Sequence, residues 1–548
     1  MSAQTRADRK GSKDSGPYTL LKNGLIVDGT GQKAYPGHLL IKGAKIEQIS
    51  QSPMEIDCET MDCTDLAIAP GFIDAHSHMD WVVPMEGAEE LKNPFIAQGC
   101  TTFVTGNCGF SPGGFRRNSE YKRMIRLGVD RGFDVSWDTM EGYFEHLGRQ
   151  GLSHNIVHLA GHGTSQISMR GMDPSPLDES ELKELLSLLD EAMDQGARGV
   201  SFGLGYEPGM FFSKDDIKKV AQLVKKKEKI ITVHGRAYSF MSAFYEDRGG
   251  TPHNVLSLQE MIDVARDTGV RLQYSHLMFA GTKTHPTYAQ CLEVMDRAIS
   301  QGVDVMIDTY PYHCGNSIIN VVLPPWFLAN IPANYSDREA LARVERGLDN
   351  MSRNVGFGYE DVQLTFADHP DFSPFNGMFI NEIADELRMP PSRVVVALSE
   401  KTNGRARILN HNYSDMEIID ALISHPACLF MTDSVVSAEG VQNPASFGAF
   451  PLLLQDARDR KLASLEESVR KMTGASAERL GVKDRGLLRS GLAADITVFD
   501  WENVKDNNTV TETNMAPSGI EAVFMNGRQV MKDGVVDGSA NAGVVVSA

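Results

Sequence analysis

Eight short apolar runs, separated by amphipathic stretches, constrain this chain more than any other feature. They lie at 69–74, 101–105, 155–160, 197–202, 229–233, 271–274, 303–308 and 427–431. Each has strand length, and the segments between them carry apolar residues at helical spacing. In 180–194, Leu182, Leu185, Leu186, Leu189 and Met193 make one stripe. The pattern returns in 217–225 behind Ser213 as an N-cap, and Ser464 with Glu467 reads as a capping box. Strands alternating with helices predict an α/β chain folded as a (β/α)8, or TIM, barrel, whose active site lies at the C-terminal strand ends. An open doubly wound sheet shares this grammar, but it normally carries a glycine-rich phosphate loop, and the sequence has none.

The two ends of the chain follow a different rule. Residues 18–52 read as short strands with turns at Asp28-Gly29 and Lys42-Gly43. Runs at 494–499 and 520–525, then Asn526-Gly527 leading into 529–531, repeat that pattern near the other end. One small β-sandwich domain built from 17–68 and 484–548 is expected, flanking a barrel over 69–483. Two separate β domains are the alternative. Residues 316–412 are too many for one crossover, so they predict an insertion between the seventh and eighth strands, a common place for a lid. Within it, Pro324-Pro325-Trp326-Phe327 is a candidate pocket lining. The polar residues 1–16 read as a disordered lead-in.

Composition excludes some roles. The chain carries 72 acidic against 53 basic residues, a formal net charge of −19, which weighs against nucleic-acid binding. No apolar window of about 18 residues predicts a membrane span, and the N-terminal residues lack the apolar core of a secretory signal. The 7 cysteines are few and scattered, which fits a reducing cytoplasm better than a disulfide scaffold.

The chemistry sits at the strand ends. His76 and His78 follow the first run, and their i, i+2 spacing turns both imidazoles to one side. Cys108 follows the second run, and a thiolate is a strong zinc ligand able to bridge two metals. His234 ends the fifth run and His276 the sixth. Asp433 follows the eighth, where a carboxylate beside a metal takes a proton from water and returns it to a leaving nitrogen. Any one of these is ambiguous. Ligand types ending five of eight strands are poorly explained by chance.

The whole pattern resembles the amidohydrolase superfamily, and within it the D-aminoacylase, or N-acyl-D-amino-acid deacylase, family. The likeness runs from Asn23-Gly24 to 493–495 and includes Gly161-His162-Gly163-Thr164, the Gly203-Leu204-Gly205-Tyr206 stretch, Tyr310-Pro311-Tyr312 and Gly448-Ala449-Phe450-Pro451. The resemblance implies that Cys108, His234 and His276 hold a tightly bound zinc. It implies that His76 and His78 serve a second, weaker metal position sharing Cys108, and that Asp433 is the general acid/base. The fourth run has no lysine, in keeping with a cysteine in place of a carboxylated lysine. Tyr206 resembles a tyrosine near the substrate carbonyl, and His162 is a candidate for similar work or for holding its loop.

The chain departs from the family where the substrate's α-carboxylate is held. The family lysine is replaced by Met278 and the family arginine by Ala445, while the tyrosine is matched by Tyr310. A desolvated carboxylate needs paired cations or several donors. The expected reaction is therefore hydrolysis of a linear amide without a free α-carboxylate. One alternative keeps an N-acyl-D-amino acid and recruits another cation, Arg236, Arg405 or Arg407. A second is cyclic-amide or urea-type hydrolysis, separable by substrate profiling. A third is an inactive scaffold, which would lack zinc. The expected partner is a small amide, with neither nucleic acid nor membrane, and the oligomeric state is open, a homo-oligomer included.

Overall fold

The computed structural model describes residues 16–124, 133, 135–246, 250–509 and 512–546. The expected lead-in, apart from Gly16, lies outside the described residues. The middle of the chain is α/β, and outside the inserted unit its strands pair in parallel. Phe72–Asp74, Cys100–Thr105 and Asn155–His158 form one parallel sheet. Ala160–Gly161, Gly199–Gly203, Ile230–His234, Arg271–Tyr274, Val305–Thr309 and Cys428–Phe430 form another, in that order. The two sheets adjoin in sequence at Leu159, whose amide donates to the Thr105 carbonyl. Their outer strands also meet, where the Ala75 amide donates to the Phe430 carbonyl at 3.4 Å and the Asp433 amide to that of His76 at 2.9 Å. Eight consecutive parallel runs thus follow one another around a ring.

Helices cover the outside, and their ends obey local chemistry. Glu179–Asp194 opens on Asp178, whose carboxylate accepts from the Glu181 amide while Glu181 reaches back to the Asp178 amide. Leu182, Leu185, Leu189 and Met193 are buried on the ring, and Leu186 is half-buried. Ser213 caps Lys214–Lys226 through the Asp216 amide. At Leu465–Met472, Ser464 caps the Glu467 amide, but the Glu467 carboxylate turns to Arg470 at 2.7 Å, so only half of the expected capping box forms.

The first expected strand is really two. Ala67–Pro70 pairs with Ile496–Phe499 in the sheet built from the chain ends, and only Phe72–Asp74 joins the ring. Gly71 makes the break. Its amide donates to Asp495, and a Cβ there would lie 2.3 Å from the Thr101 side chain. The terminal sheet has nine strands drawn from both ends of the chain. It is hydrogen-bonded as one sheet that forks at Tyr18–Ile26, where Glu59–Asp62 pairs with the first half and Ala67–Pro70 with the second. Leu21, Ile26, Leu39, Ile68, Ile496 and Phe524 share its buried cluster. Asn526 and Gly527 turn between its strands with φ of 47° and 77°, as a tight hairpin requires. A buried polar knot ties this sheet to the ring: Arg485 pairs with Asp495 at 2.5 Å, and Asp495 also accepts from Asn155 at 3.0 Å.

Between the seventh and eighth runs stands a unit with its own antiparallel sheet of Gly315–Ile318, Arg407–Asn410 and Val362–Phe366. Helices Arg338–Met351, Ile380–Leu387 and Pro391–Lys401 pack on a separate core containing Phe327, Val344, Leu364 and Ile383. No helix among the described residues is long and apolar enough to cross a membrane.

Candidate active site

The strand ends converge. The Cys108 sulfur lies 3.3 Å from His76 Nε2, 3.5 Å from His276 Nε2 and 3.9 Å from His234 Nδ1. His234 Nδ1 and His276 Nε2 are 3.1 Å apart. Asp433 Oδ1 sits 3.3 Å from His76 Nε2 and 3.4 Å from His78 Nε2. For zinc at ordinary Zn–N and Zn–S lengths, the edges of a tetrahedron are about 3.3–3.6 Å. The spacing of Cys108, His234 and His276 brackets that range, and the distances from His76 to Cys108 and from Asp433 to His76 and His78 fall at its lower end. All five ligand candidates and Asp433 are drawn together, and two trios among them, His76 with Cys108 and His276 and His76 with His78 and Asp433, are close enough to hold a metal ion.

The backbone here is held in costly shapes. Cys108, His276 and Asp433 have φ of 54°, 33° and 50°, a left-handed region that residues other than glycine seldom occupy. Buried carboxylates fasten these turns. Asp308 Oδ1 accepts the His276 amide at 2.6 Å and faces His76 Nδ1 at 3.8 Å, while its Oδ2 accepts from Gln273 at 2.7 Å. Asp74 accepts the Thr432 amide at 2.9 Å and its hydroxyl at 2.6 Å, beside Asp433. Asp80 accepts the Gly106 amide at 3.0 Å, fixing the approach to Cys108. Gly106 is needed there, since a Cβ would lie 2.1 Å from the Leu159 carbonyl. Sequence reasoning missed these three. Asp74 and Asp308 end the first and seventh runs just as ligand types end others, so the signal was present.

Electrostatically the cluster calls for positive charge. Burial opposes the Cys108 thiolate, but the facing His76, His234 and His276 hold its pKa well below that of an ordinary thiol. Burial likewise opposes the Asp433 carboxylate, and His276, His76 and His78 outweigh it, keeping Asp433 below its usual range. Burial works against a charged His276, yet Asp433 and Cys108 push it up to about 9. His78 is likewise raised against burial, by Asp433 and Cys108. A thiolate and a carboxylate that force neighbouring imidazoles to become cations make a site suited to a divalent metal.

The cluster opens into a cavity of ≈770 Å³, whose wall includes His78, Cys108, His234, His276 and Asp433. Met278 lies in the same wall, and the Tyr310 hydroxyl donates to its sulfur at 3.1 Å. Tyr206 also lines it, with its ring 4.7 Å from that of His234, but its hydroxyl donates to the Cys108 carbonyl at 2.7 Å. Pro324, Pro325 and Trp326 contribute from the inserted unit, whereas Phe327 is buried in that unit's own core.

Three expected substrate contacts are corrected. Arg236 lines the cavity but its guanidinium is taken: it pairs with Glu260 at 3.1 Å and donates to the Met210 and Phe212 carbonyls. His162 is buried between Phe202 and Phe212, bonded to the Ser201 carbonyl at 3.2 Å, and burial holds it neutral with a pKa down to about 4; it supports a loop. Ala445 is buried at the start of Ala445–Asp459, its amide bonded to the Asn443 side chain, and does not line the cavity. For His162 and Ala445 the side chain leaves the strand-end loop in a direction that sequence does not encode.

Known proteins resemble this chain along nearly its whole length. Residues 429–531 match the family model described as "Amidohydrolase family". An N-acyl-D-aspartate deacylase of Alcaligenes xylosoxydans xylosoxydans is 28% identical over 96% of this chain and 94% of its own length. A D-aminoacylase of the same organism is 27% identical over 97% and 98%. The solved N-acyl-D-glutamate deacylase of Bordetella bronchiseptica, complexed with zinc and a phosphonate inhibitor, superposes with a TM-score of 0.79 at 24% identity, covering 97% of this chain and 100% of that one. The chain thus resembles the amidohydrolases, and among them the N-acyl-D-amino-acid deacylases, and is a metal-dependent hydrolase acting on C–N bonds other than peptide bonds.

Proposed function

We propose that this protein uses zinc to hydrolyse a linear N-acyl amide whose leaving amine carries no free α-carboxylate. The ring of parallel strands is read as a (β/α)8 barrel presenting the site at its C-terminal strand ends. The observation that carries the reading is the sulfur of Cys108 within 3.3–3.9 Å of three imidazoles, with Asp433 beside two of the four histidines. Cys108, His234 and His276 would hold the first zinc, and His76 and His78, sharing Cys108, a weaker second one. Zinc, when bound, lowers the pKa of water toward about 7 and polarises the substrate carbonyl.

The remaining work belongs to the chain. Asp433 is kept ionised by the surrounding imidazoles, so it is ready to accept the proton of the attacking water. It then returns that proton to the departing nitrogen, which leaves as a neutral amine. Asp308 and Asp74 keep the two loops in place while Asp433 changes charge. Tyr206 is a candidate hydrogen-bond donor to the carbonyl oxygen once its hydroxyl leaves the Cys108 carbonyl.

Met278 supports the substrate assignment. A thioether takes the cation's place and already receives the Tyr310 hydroxyl. Arg236 is spent on Glu260 and cannot substitute. Relatives named for N-acyl-D-amino acids support the amide and favour a second reading, a deacylase of such acids whose carboxylate is held elsewhere. The test is kcat/KM on zinc-loaded protein for N-acetyl-D-methionine and for its neutral carboxamide. Preference for the carboxamide is expected. Preference for the free acid selects the second reading, and hydrolysis of neither overturns both.

A further inference from the structure

The charge balance of the cavity is the reverse of that of the chain. The whole sequence has 72 acidic and 53 basic residues, yet among the described residues the cavity wall carries five arginines and two carboxyls, Asp433 and Glu207. Asp433 is committed to the reacting centre. Glu207 is pushed up to about 7 by burial, so it cancels little of the positive charge. Arg236 is neutralised by Glu260. Arg343, Arg346 and Arg405 belong to the inserted unit, are exposed to solvent as well as lining the cavity, and have no carboxylate partner among the described residues. Arg343 and Arg346 are three apart on Arg338–Met351 and so project from one face of that helix. The Arg343 guanidinium is stacked over Trp326 at 4.0 Å, which orders it in advance. Arg407, in the same wall, is buried over the Phe366 ring at 4.5 Å. The same cavity is also lined by Val321, Val322, Leu323 and Phe244, which offer no charge.

We propose that the arginines of the inserted unit bind an anionic group carried by the substrate at the end remote from the scissile amide. Like charges gathered without acids repel, and an anion relieves that repulsion while Arg–carboxylate or Arg–phosphate pairing adds directed hydrogen bonds. This rests on the amide-hydrolase reading and extends it: neutral next to the metal centre, apolar in the middle, anionic at the far end. A three-part molecule of that kind uses the whole cavity, whereas an N-acetyl amino acid uses one end.

The test uses 6-acetamidohexanoate and its terminal carboxamide, which share one linear amide and differ in a distant charge. Both are titrated calorimetrically into zinc-loaded Asp433→Asn protein, so that binding is read without turnover. Binding of the carboxylate at least about ten-fold tighter is expected, with the preference shrinking as salt rises and lost in the added Arg343→Gln/Arg346→Gln/Arg405→Gln background. These three positions are exposed, and an unchanged melting temperature will show that the fold is intact. The ratio of KM values on wild-type protein gives a second reading of the same preference. Equal binding, binding of neither probe, or a preference that survives removal of the arginines overturns the inference. Absence of turnover in the wild-type protein, with the binding difference intact, counts against amide hydrolysis alone.

Discussion

The two walls of the cavity are built on opposite principles. On the ring side, the reacting groups stand at strand ends, and buried carboxylates fasten the turns at Cys108, His276 and Asp433, the three that occupy left-handed backbone. On the inserted side, the lining is apolar, uncharged polar or arginine, borne by a unit with its own core that shares no strand with the ring. The contrast teaches a division of labour: one wall fixes what reaction occurs, and the other selects what is brought to it.

Substitutions on the first wall are expected to abolish chemistry and those on the second to redirect it. The largest effect belongs to Asp433→Asn, which should keep its zinc by elemental analysis and lose at least about 10³-fold in kcat, because the proton has no other carrier. Near wild-type turnover would move the acid/base role elsewhere. Asp308→Asn should cost on the order of 10–100-fold in zinc affinity or activity, since it orients His76 and His276 from outside the cluster; a metal titration reads it. Met278→Lys restores a cation beside Tyr310 and should raise kcat/KM for N-acetyl-D-methionine about ten-fold while lowering that for the carboxamide. Trp326→Ala, on the inserted wall, is expected to raise KM a few-fold at constant kcat, as loss of uniform binding does. If it lowered kcat instead, the separation of the two walls would be wrong.

A fifth prediction compares the ring's interior with the surface. His154 and His158 are buried, and burial pushes both down from 6.5 to about 3. An unfolded chain would bind protons at these rings from about pH 6.5 downward, and the folded chain would not until about pH 3. Stability contributed by keeping them neutral is thus full above pH 6.5 and shrinks as pH falls through 6.5 toward 3. Melting temperature should decline across that window, and replacing the His154 ring, whose centroid lies 4.3 Å from that of Phe103, by His154→Phe should make the decline shallower.

Strand ends were the readable part of the sequence because a barrel-like ring turns chain position into spatial position: whatever follows an apolar run stands near the centre. That rule brought His76, His78, Cys108, His234, His276 and Asp433 together, and it would have found Asp308. It failed at His162 and Ala445, which also follow strand ends, because their loops fold back and bury the side chain outside the cavity. The rule has nothing to say about Arg343 and Arg346. They sit mid-helix with the spacing of any solvated face, and only the packing of the inserted unit reveals that this face borders the cavity. Gly71 hid a boundary, since the apolar run passes through it while the hydrogen bonds change sheet.

The terminal sheet sets a schedule for synthesis. Ala67–Pro70 lies between Tyr18–Ile26 and Ile496–Phe499, so one of its two neighbours is encoded near the far end of the chain. At a translation rate of about 5–20 residues per second, the intervening residues take tens of seconds to appear. For that time the nascent N-terminal strands carry an open, apolar edge, the kind that pairs with the wrong partner. A ribosome that stalls late, or a message cut short before residue 496, leaves behind a chain whose catalytic cluster is already encoded in full and whose sheet cannot close.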